Sequence, residues 1–189
     1  MKLAIIGKAG TLASALAGTN QLLSYDVTCF GKDQYNLTDN SQVTALSKQL
    51  IGFDKIVITA GIYNSSDPWE TYLVNTVSIA TILNELIAAG STAHITIAGS
   101  HGSMWTAWPG MPLERLWYNN SKKSLMDLVT SLSHSKVSKL KLTILNFSKF
   151  ESSINGYTGY PIDTAVALVA QVVHDKNPPL VIEIESPDV

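Results

Sequence analysis

Two groups of residues in this 189-residue chain have types and spacing that could do chemistry. The first is Tyr118-Asn119-Asn120-Ser121-Lys122. Residues four apart share one helical face, so the Lys122 ammonium can sit near the Tyr118 hydroxyl. A tyrosine ordinarily titrates near pH ~10, and a neighbouring cation brings its phenolate closer to neutrality. Such a group can exchange a proton with a carbonyl or alcohol oxygen. The second is Gly7-Lys8-Ala9-Gly10-Thr11-Leu12-Ala13, directly after an apolar run and opening an amphipathic one. Its first glycine permits a tight turn, its second lets the backbone approach a pyrophosphate, and small Ala13 lets helix and strand pack closely. The helix start then offers free N–H groups and its positive dipole end to the phosphates.

The elements that must position these groups follow from the apolar pattern. Leu3 to Ile6, Val27 to Phe30, Ile56 to Thr59, His94 to Ala98, Leu140 to Asn146 and Leu180 to Ile184 read as strands. Thr11 to Leu23, Ser41 to Leu50, Trp69 to Ala89, Glu114 to Ser133 and Asp163 to His174 carry apolar residues at three- and four-residue spacing and read as helices. Thr38-Asp39-Asn40 and Asp163-Thr164 supply caps, and Ala89-Gly90 closes the central helix. Strict alternation predicts an α/β fold: a doubly wound, Rossmann-like three-layer sandwich around a six-stranded parallel sheet. Residues 1–189 read as a single dinucleotide-binding domain with short substrate loops at 99–117 and 148–162. The first loop contains Met104, Trp105, Trp108 and Met111, with Trp117 just beyond, and is either a pocket wall or a cover over the core or a partner subunit.

Composition excludes several classes. The chain is 46% hydrophobic and 15% charged with a net charge of -2, so it can fill one sizeable core but offers no basic patch for nucleic acid. Cys29 stands alone and no Cys/His cluster has zinc spacing, so neither a disulfide nor a metal is expected. Lys8 and two glycines interrupt the amino-terminal apolar run before it resembles a secretion signal, and no window reads as a membrane span. A cytoplasmic location is the expectation. At the end of the second strand, Lys32 suits a ribose 2′-phosphate and tilts the reading toward NADP(H), while Asp33 keeps NAD(H) open.

Taken in order, the Gly7/Gly10/Ala13 turn, Thr59-Ala60-Gly61 after a strand, Asn75 in the next helix, serines after the following strand, and Tyr118/Lys122 resemble the short-chain dehydrogenases/reductases. The resemblance covers residues 1 to about 150 and is closest to compact members, in which an Asp-Leu/Ile-Thr-Asp segment follows the second strand almost directly. Here that segment is Asn36-Leu37-Thr38-Asp39, and one helix and one strand of full-length members are missing before it. The resemblance implies an NAD(P)(H)-dependent oxidoreductase acting on a small carbonyl or alcohol, with homodimer or homotetramer assembly. Tyr118 would be the general acid, and Lys122 would lower its pKa and hold the nicotinamide ribose. Asn75 would support a water-linked proton relay, while Ala60 and Gly61 would border the adenosine and Asn36 and Leu37 its adenine.

Departures from the family pattern leave a second reading open, a catalytically weak NADP(H)-binding sensor. The usual paired serines are Ala98-Gly99, so Ser100 is the first choice for the substrate-oxygen partner and Ser103 the second, with His101 as a local donor or auxiliary acid. The Pro-Gly that commonly follows the next strand is replaced by Asn146-Phe147-Ser148-Lys149-Phe150. Leu83, Leu86, Leu125, Leu128 and Leu132 could serve core or interface.

Overall fold

A computed structural model describes residues 1–63, 65–104, 107–135, 137–147 and 160–184. Strands β1 (Lys2–Ile6), β2 (Asp26–Phe30), β3 (Lys55–Ile58), β4 (His94–Ala98), β5 (Lys141–Phe147) and β6 (Val181–Ile184) form one parallel sheet in the order β2-β1-β3-β4-β5-β6. Both faces of a parallel sheet must be covered, and the side chains of β1 show how: Ala4 and Ile6 face one cluster, Leu3 and Ile5 the other. On the first face pack α2 (Asn40–Leu50), α4 (Ser78–Ala88) and α5 (Leu113–Ser133), through residues such as Leu46, Ile82 and Val129. On the second pack α1 (Thr11–Gly18) and α6 (Ile162–His174), through Leu16, Val169 and Val173. The order reverses between β1 and β3, and that switch point opens a crevice at the strands' carboxyl ends.

The expected elements are present with instructive differences. The first helix stops at Gly18, and a 3₁₀ turn over Asn20–Leu22 takes the rest of the predicted segment. Thr59 leaves β3 and donates its hydroxyl to the Ile6 carbonyl at 3.0 Å, tying the ends of β3 and β1 together. Asp39 caps α2 by accepting from the Ser41 and Gln42 N–H groups, and Gly90 ends α4 at φ +69°. By contrast, α6 begins one residue early behind Pro161, so Asp163 falls in its first turn rather than capping it.

The central helix is three segments in series, α3 (Pro68–Tyr72), a π-turn at Leu73–Val77, and α4. Its 21 residues from Pro68 to Ala88 are long and apolar enough to cross a membrane by length and composition, contrary to the reading from sequence windows. Here that apolarity is core packing, since Ile79, Ile82, Leu83 and Leu86 are fully buried against the sheet. Leu125 is buried in the same cluster and Leu132 packs against it, so core burial takes these leucines.

Candidate active site

The first turn is built around a close approach of two strand ends. Gly7 adopts φ +110°, and a Cβ there would lie 2.7 Å from Thr59 Oγ1 and 2.8 Å from the Ala60 nitrogen. Only glycine fits both the conformation and the space. The Gly7 and Lys8 N–H groups donate to the Phe30 carbonyl at 2.9 and 3.1 Å, which anchors the turn to β2. Gly10 then caps α1 without a side chain, so no side-chain oxygen occupies the helix's positive end.

A cavity of about 200 Å³ lies at the switch point. Of the residues singled out in the sequence, Gly7, Gly10, Lys32, Asn36, Leu37, Ala60 and Gly61 line it. Phe30, Tyr35, Leu46 and Val74 make its inner walls apolar, with Phe30 and Tyr35 edge to face at 5.9 Å. Glu70, unmarked in the sequence, lines it too and accepts from the Ser65 hydroxyl at 2.8 Å. The uncapped helix start, the glycine cradle and the apolar slot fit a dinucleotide with its pyrophosphate at the turn and its base in the slot.

Three groups of residues singled out in the sequence stand away from this cavity. Lys8 reaches Asp33 at 3.8 Å rather than lining the cavity. Leu12 buries its side chain in the core beneath α1, and Thr11 also stays out of the lining, so both could serve only through the helix start. Among the described residues of the apolar loop after β4, none lines this cavity: Met104 and Trp108 are exposed, Trp108 lies under the Arg115 guanidinium at 5.3 Å, and a 3₁₀ turn at His101–Met104 interrupts the loop. Trp105 and the loop residues Ser148 to Gly159 lie outside the described residues.

A second group gathers around Gly61. A Cβ on Gly61 would sit 3.3 Å from both Lys122 Nζ and Asn75 Oδ1, so the missing side chain is what lets these two approach. Asn75, fully buried in the π-turn, accepts from the Ile62 N–H at 2.8 Å and donates to the Ile62 carbonyl at 2.9 Å and to Ser121 Oγ at 3.1 Å. Ser121 in turn donates to the Tyr118 carbonyl at 2.7 Å, locking the Tyr-bearing turn of α5 to the loop after β3. Neither Ser121 nor the π-turn carries a signal in the sequence beyond the asparagine itself.

The expected Tyr118–Lys122 relationship is different in the structure. Lys122 Nζ donates to the Ala98 carbonyl at 3.0 Å, and burial lowers its pKa to about 8. Burial raises the Tyr118 phenol's pKa above its ordinary value and Tyr63 adds to the rise, while the Ser100 hydroxyl beside it pulls the other way. The Tyr63 ring stands edge-on to Tyr118 with centroids 4.9 Å apart. Of the two serines, Ser100 is the one that meets Tyr118, whereas Ser103 turns its hydroxyl toward Met126 Sδ at 3.8 Å.

The departures at Gly99 and Asn146 explain each other. Asn146 is fully buried at the end of β5, and a Cβ on Gly99 would overlap its Oδ1 and lie 2.7 Å from Ile144 Cγ2. A serine at 99 has no room. Asn146 Nδ2 donates to Glu183 Oε1 at 2.8 Å, while Asn146 Oδ1 and Asn119 Nδ2 have no hydrogen-bond partner among the described residues.

No protein-family model and no curated protein matches this chain in sequence. Solved structures do match in fold. A short-chain dehydrogenase from Mycobacterium smegmatis superposes with a TM-score of 0.76 at 14% identity, covering 98% of this chain and 92% of that one. The chain has the short-chain dehydrogenase fold. The same fold appears in the 3-alpha-hydroxysteroid dehydrogenase from Pseudomonas sp. B-0831 complexed with NADH, at TM-score 0.73, 14% identity and coverage of 97% and 95%. It appears again in dTDP-4-dehydrorhamnose reductase from Bacillus anthracis in complex with NADP, at TM-score 0.72 and 15% identity, covering 97% of this chain and 74% of that one. On the short-chain dehydrogenase fold, Tyr118 and Lys122 stand on α5 beside the carboxyl end of β4, and the switch-point cavity stands at the ends of β1 and β3.

Proposed function

We propose that this chain is an NAD(P)(H)-dependent oxidoreductase of the short-chain dehydrogenase/reductase family, of carbonyl reductase or alcohol dehydrogenase type, with Tyr118 as general acid and base. The observation that carries the reading is the Ser100 hydroxyl beside the Tyr118 phenol, one helical turn from Lys122, on a fold whose switch-point crevice suits a dinucleotide. When bound, the nicotinamide supplies the hydride chemistry. Tyr118 and Ser100 bind the substrate oxygen from one side. Because burial keeps the Tyr118 phenol protonated, it is loaded to donate to that oxygen in the reducing direction at neutral pH. Lys122, 5% exposed and beside Gly61, holds the ribose with an ammonium that retains its proton below about pH 8. The π-turn at Asn75 interrupts the regular helical bonding there, which suits a water-linked relay toward Lys122.

Lys32 on the cavity wall favours NADP(H) over NAD(H), with Lys8 a second cation close by once released from Asp33. A catalytically weak NADP(H)-binding sensor is the second reading, and what favours it is the commitment of Lys122 to the Ala98 carbonyl in place of the Tyr118 phenol. Fluorescence titration with NADPH and NADH, followed by a screen of small ketones and aldehydes under NADPH absorbance, separates the readings. Selective NADPH binding with turnover that Tyr118→Phe abolishes supports the enzyme. Tight binding with no turnover across the screen supports the sensor, and binding of neither nucleotide overturns both.

A further inference from the structure

Ser100 is not held by a strand, because β4 ends at Ala98 and the serine directly precedes the 3₁₀ turn at His101–Met104. Two contacts fix it there instead. The Gly102 N–H donates to Ser100 Oγ at 3.2 Å, and the Ser103 N–H donates to the Ser100 carbonyl at 2.9 Å, so the turn closes on the serine through both its side chain and its backbone. Against Gly102 stands Asn119, the residue after Tyr118 on α5 and only 4% exposed. A Cβ on Gly102 would lie 2.5 Å from Asn119 Oδ1, 3.2 Å from its Cγ and 3.3 Å from Ser100 Oγ. The missing side chain is therefore what lets the Asn119 amide, the turn and the serine hydroxyl share one space. Asn119 is unfavourable to keep there, since its buried Nδ2 has no hydrogen-bond partner among the described residues.

We infer that Gly102 and Asn119 are a positioning pair for Ser100: the glycine holds the hydroxyl oxygen by its N–H, the asparagine braces the turn from α5, and the serine's own proton is left to donate to the substrate oxygen beside Tyr118. The catalytic part of this rests on the carbonyl reductase reading. The reasoning is one of lone pairs and space. A serine hydroxyl has one proton and two lone pairs, and the Gly102 N–H takes up one lone pair. A hydroxyl that accepts a hydrogen bond is a stronger donor for it. Asn119 and Tyr118 are adjacent on α5, so a turn seated on Asn119 is referred to the helix that carries the phenol, and the two donors keep their spacing. Donors fixed in advance stabilise charge on the substrate oxygen without having to reorient during the reaction.

The test uses the whole chain labelled with ¹³C at tyrosine Cζ. The Tyr118 resonance, identified by its loss in Tyr118→Phe, reports hydrogen bonding at the phenol at neutral pH. Ser100→Ala is expected to move it, and Gly102→Ala to move it in the same direction, because the added methyl displaces the hydroxyl. Gly102→Ala made in the Ser100→Ala background should add nothing, and Asn119→Ala made in the Gly102→Ala background, which vacates the space, should bring the resonance back toward its wild-type position. With NADPH and butanone, Gly102→Ala is expected to lower kcat by about tenfold or more while NADPH affinity stays within about twofold of wild type. A Tyr118 resonance that stays put in Ser100→Ala or Gly102→Ala, or that Gly102→Ala moves equally with and without the Ser100 hydroxyl, overturns the pair while leaving the oxidoreductase reading standing, and so does an unchanged kcat. Absence of NADPH binding by the wild type overturns that reading and the pair's part in catalysis with it.

Discussion

Lys122 Nζ donates to the Ala98 carbonyl at 3.0 Å, across the gap between α5 and the end of β4, and does not turn to the phenol one turn behind it. The buried ammonium therefore has one carbonyl to offset the loss of water, and its pKa falls to about 8. Replacing a buried cation by an apolar side chain of similar length is often neutral or stabilising. Lys122→Met is accordingly expected to leave unfolding free energy at pH 7 unchanged or raise it by about 1–3 kcal/mol, while NADPH affinity and turnover both drop. The folded protein binds fewer protons here than the unfolded chain between about pH 8 and the ordinary lysine range, so in the wild type this group adds stability as pH rises through that window. Urea titrations of both proteins at pH 7 and pH 9.5 read the effect, and a loss of stability in the variant would show that Lys122 is a structural cation.

Tyr118→Phe removes only a hydroxyl from a half-buried ring that keeps its contact with Tyr63. Turnover is expected to fall by about 10²–10⁴-fold, with NADPH affinity within about twofold of wild type. Since the phenol's pKa is raised, the wild-type reduction rate should show no loss from Tyr118 ionisation below about pH 10. Steady-state kinetics across pH, beside a nucleotide titration, checks both statements.

Gly99 and Asn146 occupy one space. Gly99→Ala is expected to cost about 1–3 kcal/mol, because the added methyl meets the fully buried Asn146 side chain and Ile144. Asn146→Ala in the same chain should recover part of that loss. Additive effects of the two substitutions, measured by thermal or urea unfolding in a double-mutant cycle, would sever the link between the two departures.

His94 supplies an acid limit to stability. It is buried at the start of β4, its Nδ1 3.1 Å from Lys55 Nζ and its Nε2 3.2 Å from Thr143 Oγ1. Burial first, then repulsion from Lys55 and Lys141, lowers its pKa to about 4. The unfolded chain takes up the proton near the ordinary histidine pKa, so stability present above about pH 6.5 is lost as pH falls toward 4. The loss is on the order of 3 kcal/mol at most. His94→Gln should flatten the urea midpoint between pH 6.5 and 4, and an unchanged slope in the variant would assign the acid sensitivity to other groups.

Much of this protein was legible in its residues because the signals are local. Alternating apolar runs specify the strands and helices, since parallel strands buried on both faces must be apolar throughout, and the Gly7 turn announces its own positive φ. Asn75, Tyr118 and Lys122 could be picked out by order and spacing. Which serine meets Tyr118, that Lys122 serves a backbone carbonyl, that Gly99 yields its space to Asn146, and that Glu183 faces His101 were all decided by tertiary structure. Each depends on where separate strands end relative to one another, and side-chain direction at a strand's end follows the sheet's register and the helix packed over it rather than the residue's immediate neighbours. The pKa directions belong to the same class, because burial is a property of the assembled core.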